Sequence, residues 1–222
     1  HHAVTQAATD AETRVIVFEG PGHIFCAGHD LKEIARHRAD PDHGRAYLTT
    51  LFEDCAQMML AVTQCPKPTI AMVDGIATAA GLQLVAACDL AYASEAASFC
   101  LPGVNNGGFC TTPAVAVSRA IGRKHLMELL LSGESRDAAW GLRTGLVNDV
   151  LGANALRDHT YAFARKLATR NPGPIHAGKP VTVAHLDQDL TTAYAMATRT
   201  MIGHFMDPAR IAQEQNTRIT GT

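Results

Sequence analysis

With 222 residues, 47% hydrophobic and only 18% charged, the chain carries enough apolar surface for one substantial α/β core, or one core with a small appended subdomain, which rules out a disordered polymer. Its formal charge of −2, with no basic block or acidic tail, argues against nucleic acid or an anionic membrane as the main partner. No apolar run reaches the length of a membrane span, no secretory signal opens the chain, and none of the eleven histidines falls in H-E-x-x-H spacing, so no metal is expected.

In chain order, "HHAVTQAATDAET" reads as the tail of a helix leading into "RVIVFEG", Arg14–Gly20, a β-branched run with the look of a buried strand. A chain that opens this way is expected to lack elements that naturally precede it. A turn-rich segment, "PGHIFCAGHDLKEI", follows. In "RAYLTTLFEDCAQMMLAVTQ" the residues Leu48, Leu51, Phe52, Cys55, Met59 and Val62 recur at helical spacing, which predicts a long amphipathic helix. The "CPKP" segment ends it, because proline disfavours helix at the residue before it. "TIAMVDG" is a second strand, and "GIATAAGLQLVAACDL" is a turn of small residues running into an apolar helix.

"LAYAS" and "ASFCL" predict short strands, and "GVNNGGFCTTP" predicts a glycine-rich loop. Helices are expected over "KHLMELLL", over "SRDAAWGLRTG" with Ser135 as N-cap and Gly145 past its end, and over "ALRDHTYAFARKLATR". In "DLTTAYAMATRTMIGHFM" an apolar stripe runs through Leu190, Tyr194, Ala197, Met201 and Phe205. Strand–helix alternation followed by helices predicts an α/β core over 1–165 and a helical C-terminal region over 166–222. The six cysteines include no C-x-x-C pair and sit mostly in apolar surroundings, as reduced thiols of an intracellular protein would.

Several familiar motifs are absent. "GPGHIF" fails as a dinucleotide fingerprint because Phe25 stands at its last glycine position, and neither a phosphate-binding P-loop nor G-x-S-x-G occurs. Two glycine sites remain, each just after a strand: "FCAGHDLKE" from Phe25 and "ATAAGLQL" from Ala77. Helix N-termini expose unpaired N–H groups and a partial positive charge, so each is suited to a developing anion. Small residues there let a ligand approach the backbone.

Taken in order, "VIVFEGPGHIFCAGHDLKEI", "CPKPTIAMVDGIATAAGLQLVAACDLAYASEAASFCLPGVNNGG" and "MELLLSGESRDAAWGLRTGLVNDV" resemble the crotonase superfamily of enoyl-CoA hydratases and isomerases, over nearly the whole chain. "AAGLQLVAACDL" and "PGVNNGGFCTTP" resemble a hydratase-domain-containing branch of that family. The resemblance implies a crotonase-type α/β superhelix of ββα units, with C-terminal helices that build trimers or dimers of trimers, and an earlier strand pair and helix. It implies an acyl-CoA thioester as substrate and no separate cofactor. It also implies a cytoplasmic setting, or the mitochondrial matrix in a eukaryote.

Laid onto residues, the resemblance implies an oxyanion hole from the backbone N–H groups of His29 and Ala80, the latter standing where many relatives have glycine. It places the CoA adenine against carbonyls around Ala27 and His29. Lys32 is either a phosphate contact or an ordinary solvated lysine of a first helical turn, and the residues leave both open. The His29 side chain either contacts the nucleotide or faces solvent, the second being preferred, and Asp30 is expected to cap the helix behind it. Cys110 reads as a packing thiol, since no cation adjoins it in sequence; Asn105 and Asn106 read as turn residues.

The hydratases of the family use two glutamates, and here those positions are Gln83 and Gly103. An amide orients water but does not titrate near neutral pH, and each acid–base group contributes about 10²–10⁴-fold. Three functions stay open. The chain is an acyl-CoA enzyme of hydratase/isomerase type in fatty-acid metabolism, a non-catalytic acyl-CoA-binding or regulatory protein, or an acyl-CoA hydrolase or decarboxylase on the same scaffold.

Overall fold

The computed structural model describes residues 1–220, which divide into two compact units, His1–Thr169 and Arg170–Thr222. In the first, helix α1 (His2–Thr9) precedes strands β1 (Ile16–Glu19) and β2 (Ile24–Cys26), then helices α2 (Leu31–Arg36) and α3 (Arg45–Thr63). Strands β3 (Thr69–Val73) and β4 (Ile76–Thr78) lead into α4 (Ala80–Ala87), and β5 (Leu90–Ser94) and β6 (Ser98–Cys100) into α5 (Thr111–Ala120) and α6 (Arg123–Ser132). Strand β7 (Arg136–Asp137), α7 (Ala138–Thr144), β8 (Asp149–Leu151) and α8 (Ala153–Ala168) complete the unit.

Each ββα repeat sends its first strand to one sheet and its second to another. One sheet has the order β1-β3-β5-β8, with every pair parallel; the other has β2-β4-β6-β7, with only the last pair antiparallel. Strand β3 is apolar on both faces because both are covered, as parallel sheets require. Ala71 and Val73 face a core with Phe25, Leu82, Phe99 and Trp140, while Ile70 and Met72 face Tyr92 and the α8 residues Leu156 and Ala164. Strand β1 lies at a sheet edge, so it is half-buried rather than buried as its sequence predicts.

Several elements differ from the sequence reading, among them the short strands β2, β7 and β8. The residues just after "TIAMVDG" form strand β4 before the helix begins; three residues are too few for periodicity to register. "TTPAVAVSRA" is helix α5, with Pro113 in its first turn, where a missing N–H does no harm. Asp137, not Ser135, caps α7, accepting from the Trp140 N–H at 2.8 Å, because Arg136 and Asp137 pair with β6 and so move the helix start.

A buried lysine fastens the first helix to this core. Lys67 is 3% exposed, and its ammonium donates to the carbonyls of Ala7, at 2.7 Å, and of Asp10, at the C-terminal end of α1. The negative end of the helix dipole and two acceptors together receive the charge. Charge-assisted hydrogen bonds contribute about 1.5–3 kcal/mol, so Lys67→Met is expected to lower unfolding stability by about that amount. Denaturant titration checks it, and an unchanged midpoint would show that α1 is held by apolar contacts alone.

The second unit contains α9 (Pro172–His185), α10 (Leu190–Phe205) and α11 (Pro208–Thr220). The sequence reading missed α9, whose Pro172, Pro174 and Pro180 argue against helix; the first two lie in its opening turn after the cap Asn171. The stripe on α10 is solvent-exposed, with Leu190 at 74%, Tyr194 at 68% and Phe205 at 54%.

Candidate functional site

Two loops meet at the site. After β2 the chain passes Ala27 and Gly28, the latter at φ +86°, a left-handed conformation that suits glycine. His29 follows, and Asp30 caps α2, its carboxylate accepting from the Lys32 and Glu33 amides at 2.8 and 3.3 Å. After β4, Ala79 takes φ 52° and ψ −119°, a conformation L-residues rarely hold, of order 1–3 kcal/mol in strain. Two hydrogen bonds fix it there. Its N–H donates to the Cys100 carbonyl at 3.0 Å, and its carbonyl accepts from the Gln83 N–H at 3.1 Å. Ala80 then opens α4.

The loops are in contact. A side-chain carbon placed on Gly28 would stand 3.1 Å from the Ala80 nitrogen, and one on Gly81 would stand 2.0 Å from the Cys26 carbonyl oxygen. Only glycine fits between helix and strand at Gly81. Among the described turn, loop and cap hydrogen bonds, neither the His29 nor the Ala80 amide donates to a backbone carbonyl. Two amides without such partners thus lie at adjoining backbone turns.

A cavity of about 590 Å³ opens there, lined by Cys26, Gly28, His29, Ala80 and Leu84. Helix α3 closes the opposite side with Leu51, Asp54, Cys55, Met58 and Met59, and His1 and His2 of the first helical segment reach its edge. A larger opening of about 730 Å³ lies within the C-terminal unit, around Pro174, Met201, His204 and Arg210. Its lining comes from helices α9 to α11 and their connections and includes no pair of adjoining strand-to-helix turns, so the smaller cavity is the better candidate.

The His29 ring does not lie free in solvent as expected. It is half-buried on the cavity wall, its edge-on contact with Phe52 having centroids 5.2 Å apart and planes at 86°, and burial pushes its pKa below the ordinary imidazole value. Burial, followed by the neighbouring Cys26, pushes the Cys55 thiol up, so it is protonated at neutral pH.

Gln83 is 4% exposed and stands behind the wall; its Oε1 accepts from the Cys55 thiol at 3.9 Å. The sequence marks Cys55 as a helix-stripe residue and a reduced thiol, and a partner 28 positions away leaves no signal in spacing. Asp54 and Cys55 were likewise missed as cavity residues. They sit where the apolar stripe of α3 meets its polar face, which is the one hint the sequence contains.

Other expected positions lie off this cavity. Ala27 and Lys32 are exposed, outside its lining. Gly103 sits in a 3-10 turn, Pro102–Asn106, where the chain folds back so that the Gly108 N–H donates to its carbonyl at 2.9 Å. A side-chain carbon on Gly103 would meet the Cys110 nitrogen at 2.8 Å, its sulfur at 2.9 Å and the Phe109 carbonyl carbon at 3.0 Å. The position therefore has no room for a side chain unless the turn shifts. Burial raises the pKa of Cys110, as fits a packing thiol, and Asn105 fastens the turn by donating to the Gly133 carbonyl at 2.9 Å. Among the described residues no cluster of three His, Cys, Asp or Glu side chains could hold a metal ion, and no helix is long and apolar enough to cross a membrane.

Comparison with known proteins converges on one description. Residues 1–216 match the family described as enoyl-CoA hydratase/isomerase. "Enoyl-CoA hydratase domain-containing protein 3, mitochondrial" of Rattus norvegicus is 41% identical over 199 residues, 90% of this chain and 65% of that protein. The chain thus spans about two thirds of the length of that relative. A crystal structure of an enoyl-CoA hydratase/isomerase family protein from Silicibacter pomeroyi superposes with a TM-score of 0.89 at 57% identity, covering 94% of this chain and 86% of the other. An enoyl-CoA hydratase structure from Mycobacterium smegmatis gives 0.90 at 41% identity, covering 99% and 83%.

Proposed function

Since the chain belongs to the enoyl-CoA hydratase/isomerase family, we propose that it binds acyl-CoA thioesters and polarises the thioester carbonyl with the backbone N–H groups of His29 and Ala80. The observation that carries this reading is the seating of Gly28 against the Ala80 nitrogen, which brings two strand-to-helix turns to one cavity. Preorganised donors aimed at a developing oxyanion contribute about 3–4 kcal/mol each to lowering a barrier, and most in a site that excludes water. Strain held at Ala79 by two hydrogen bonds supports such preorganisation.

The apolar wall of Leu51, Met58, Met59 and Leu84 suits an acyl chain. Hydration by paired carboxylates finds no support. Gln83 is an amide and Gly103 is closed against Cys110. The reaction type that fits is one in which holding an enolate or oxyanion is the main task. A non-catalytic acyl-CoA binder is the second reading, favoured by the buried, thiol-paired Gln83. Assembly into trimers through the C-terminal unit is supported by the exposed Leu190, Tyr194 and Phe205 of α10.

Calorimetric titration tests the reading. Butyryl-CoA is expected to bind at least tenfold more tightly than free CoA, about 1.4 kcal/mol of preference for the acyl thioester. Equal affinity for the two would remove the proposed oxyanion contact.

A further inference from the structure

We propose that the imidazole of His29 is the base that removes, and the acid that returns, a proton at the α-carbon of the bound acyl-CoA thioester. The inference rests on the thioester-binding reading above and adds the group that handles the proton. The structure narrows the choice by position and chemistry. Gln83 carries no titratable proton and lies behind the wall. Cys55 is a protonated thiol already donating to Gln83.

Asp54 also lines the cavity, but it is exposed on α3, where water competes for its carboxylate. His1 and His2 line the cavity too, but both are exposed, and among the described residues no ring contact holds either. His29 alone in this lining combines a ring held by an aromatic contact, partial burial and a neutral form at pH 7.

Its backbone makes the arrangement economical. The thioester oxygen and the α-carbon share one carbonyl carbon, so a residue whose amide holds the oxygen presents its side chain from a neighbouring atom. In the step proposed, the α C–H bond breaks and its proton forms an N–H bond on the ring. The C–H electron pair moves into the carbon–carbon bond of an enolate, and the thioester oxygen takes the negative charge opposite the His29 and Ala80 amides. Reversal returns a proton from the imidazolium to the same carbon, so no oxidant or second reactant is consumed. The titratable groups that line the same cavity are Asp54 and Cys55 of α3, Cys26 of β2, and His1 and His2, with Phe52 in T-shaped contact with the ring.

The test is deuterium uptake at C2 of butyryl-CoA in D2O, followed by NMR, with calorimetric binding measured on the same samples. His29→Gln keeps the backbone N–H and a polar side chain but removes the base. The expected result is exchange by the unsubstituted protein, rising with pH through a midpoint below the ordinary imidazole value and then level. His29→Gln should slow that exchange at least about 100-fold with affinity changed less than about threefold. His29→Asn serves as a second variant, with the same outcome expected. Exchange by either variant at the original rate, or binding without exchange by the unsubstituted protein, overturns the proposal while leaving thioester binding intact. Failure of butyryl-CoA to bind overturns both.

Discussion

Gly81→Ala is expected to unseat the N-terminus of α4 and to weaken acyl-CoA binding together with stability. By helix propensity alone the change should help, since alanine is favoured over glycine by about 1 kcal/mol within a helix. Packing points the other way and is larger. The new methyl carbon would lie 2.0 Å from the Cys26 carbonyl oxygen and 2.7 Å from its carbon, atoms of strand β2 that pair with Ala77 and cannot swing aside. Overpacking of a tight interior destabilises by about 1–3 kcal/mol, occasionally more, and a backbone obstacle places this case at or above the upper end. Relief requires α4 to move away from β2, which carries Ala80 away from Gly28 and parts the two amides. Thermal unfolding should fall by several degrees, and butyryl-CoA affinity should fall towards that of free CoA. A variant with the original melting temperature and the original thioester preference would mean that the close approach of these turns has no role in binding.

The same pair of turns shows how far sequence alone reaches. Strands β3 and β5 and helices α3 and α10 declare themselves through apolar runs or helical spacing long enough to register, and the glycines at 28 and 81 mark close backbone approach. Strand β4 and helix α9 do not declare themselves, the first being three residues long and the second carrying prolines that single-residue preference counts against a helix. Within the site, the two glycine-bearing turns follow from chain order after a strand, but side-chain neighbours do not. The Cys55–Gln83 contact joins residues 28 positions apart, and the His29–Phe52 contact joins a turn and a helix that only folding brings together. The closure of Gly103 by Cys110 is of the same kind. A missing side chain is visible in the letters, whereas a missing volume requires coordinates.

Replacing Gln83 by glutamate is expected to make stability depend steeply on pH without creating a hydratase. The side chain is 4% exposed, and its known neighbour is the Cys55 thiol, a neutral group that burial has already pushed up. Burial favours the protonated carboxyl, so the folded-state pKa of the new glutamate should lie above the unfolded value of about 4.3. The sign follows from proton linkage. Below about pH 4.3 the acid is protonated in both states, and Gln83→Glu should resemble the unsubstituted chain. As pH rises the unfolded chain releases its proton first, and the folded state loses stability until its own carboxyl ionises. Each tenfold weakening of the acid corresponds to about 1.4 kcal/mol, and deep burial commonly weakens carboxylic acids about a thousandfold or more, so the difference by pH 8 should exceed roughly 3 kcal/mol. Urea unfolding of both chains at pH 5 and pH 8 measures it. An identical difference at the two pH values would show a solvated carboxylate with its own route to water. Hydration of crotonyl-CoA should remain at the uncatalysed rate throughout, because one carboxyl replaces only half of a two-acid mechanism. Adding Gly103→Glu should not complete it, since its first carbon meets the Cys110 backbone nitrogen at 2.8 Å and the surrounding turn would have to open before the acid could reach substrate.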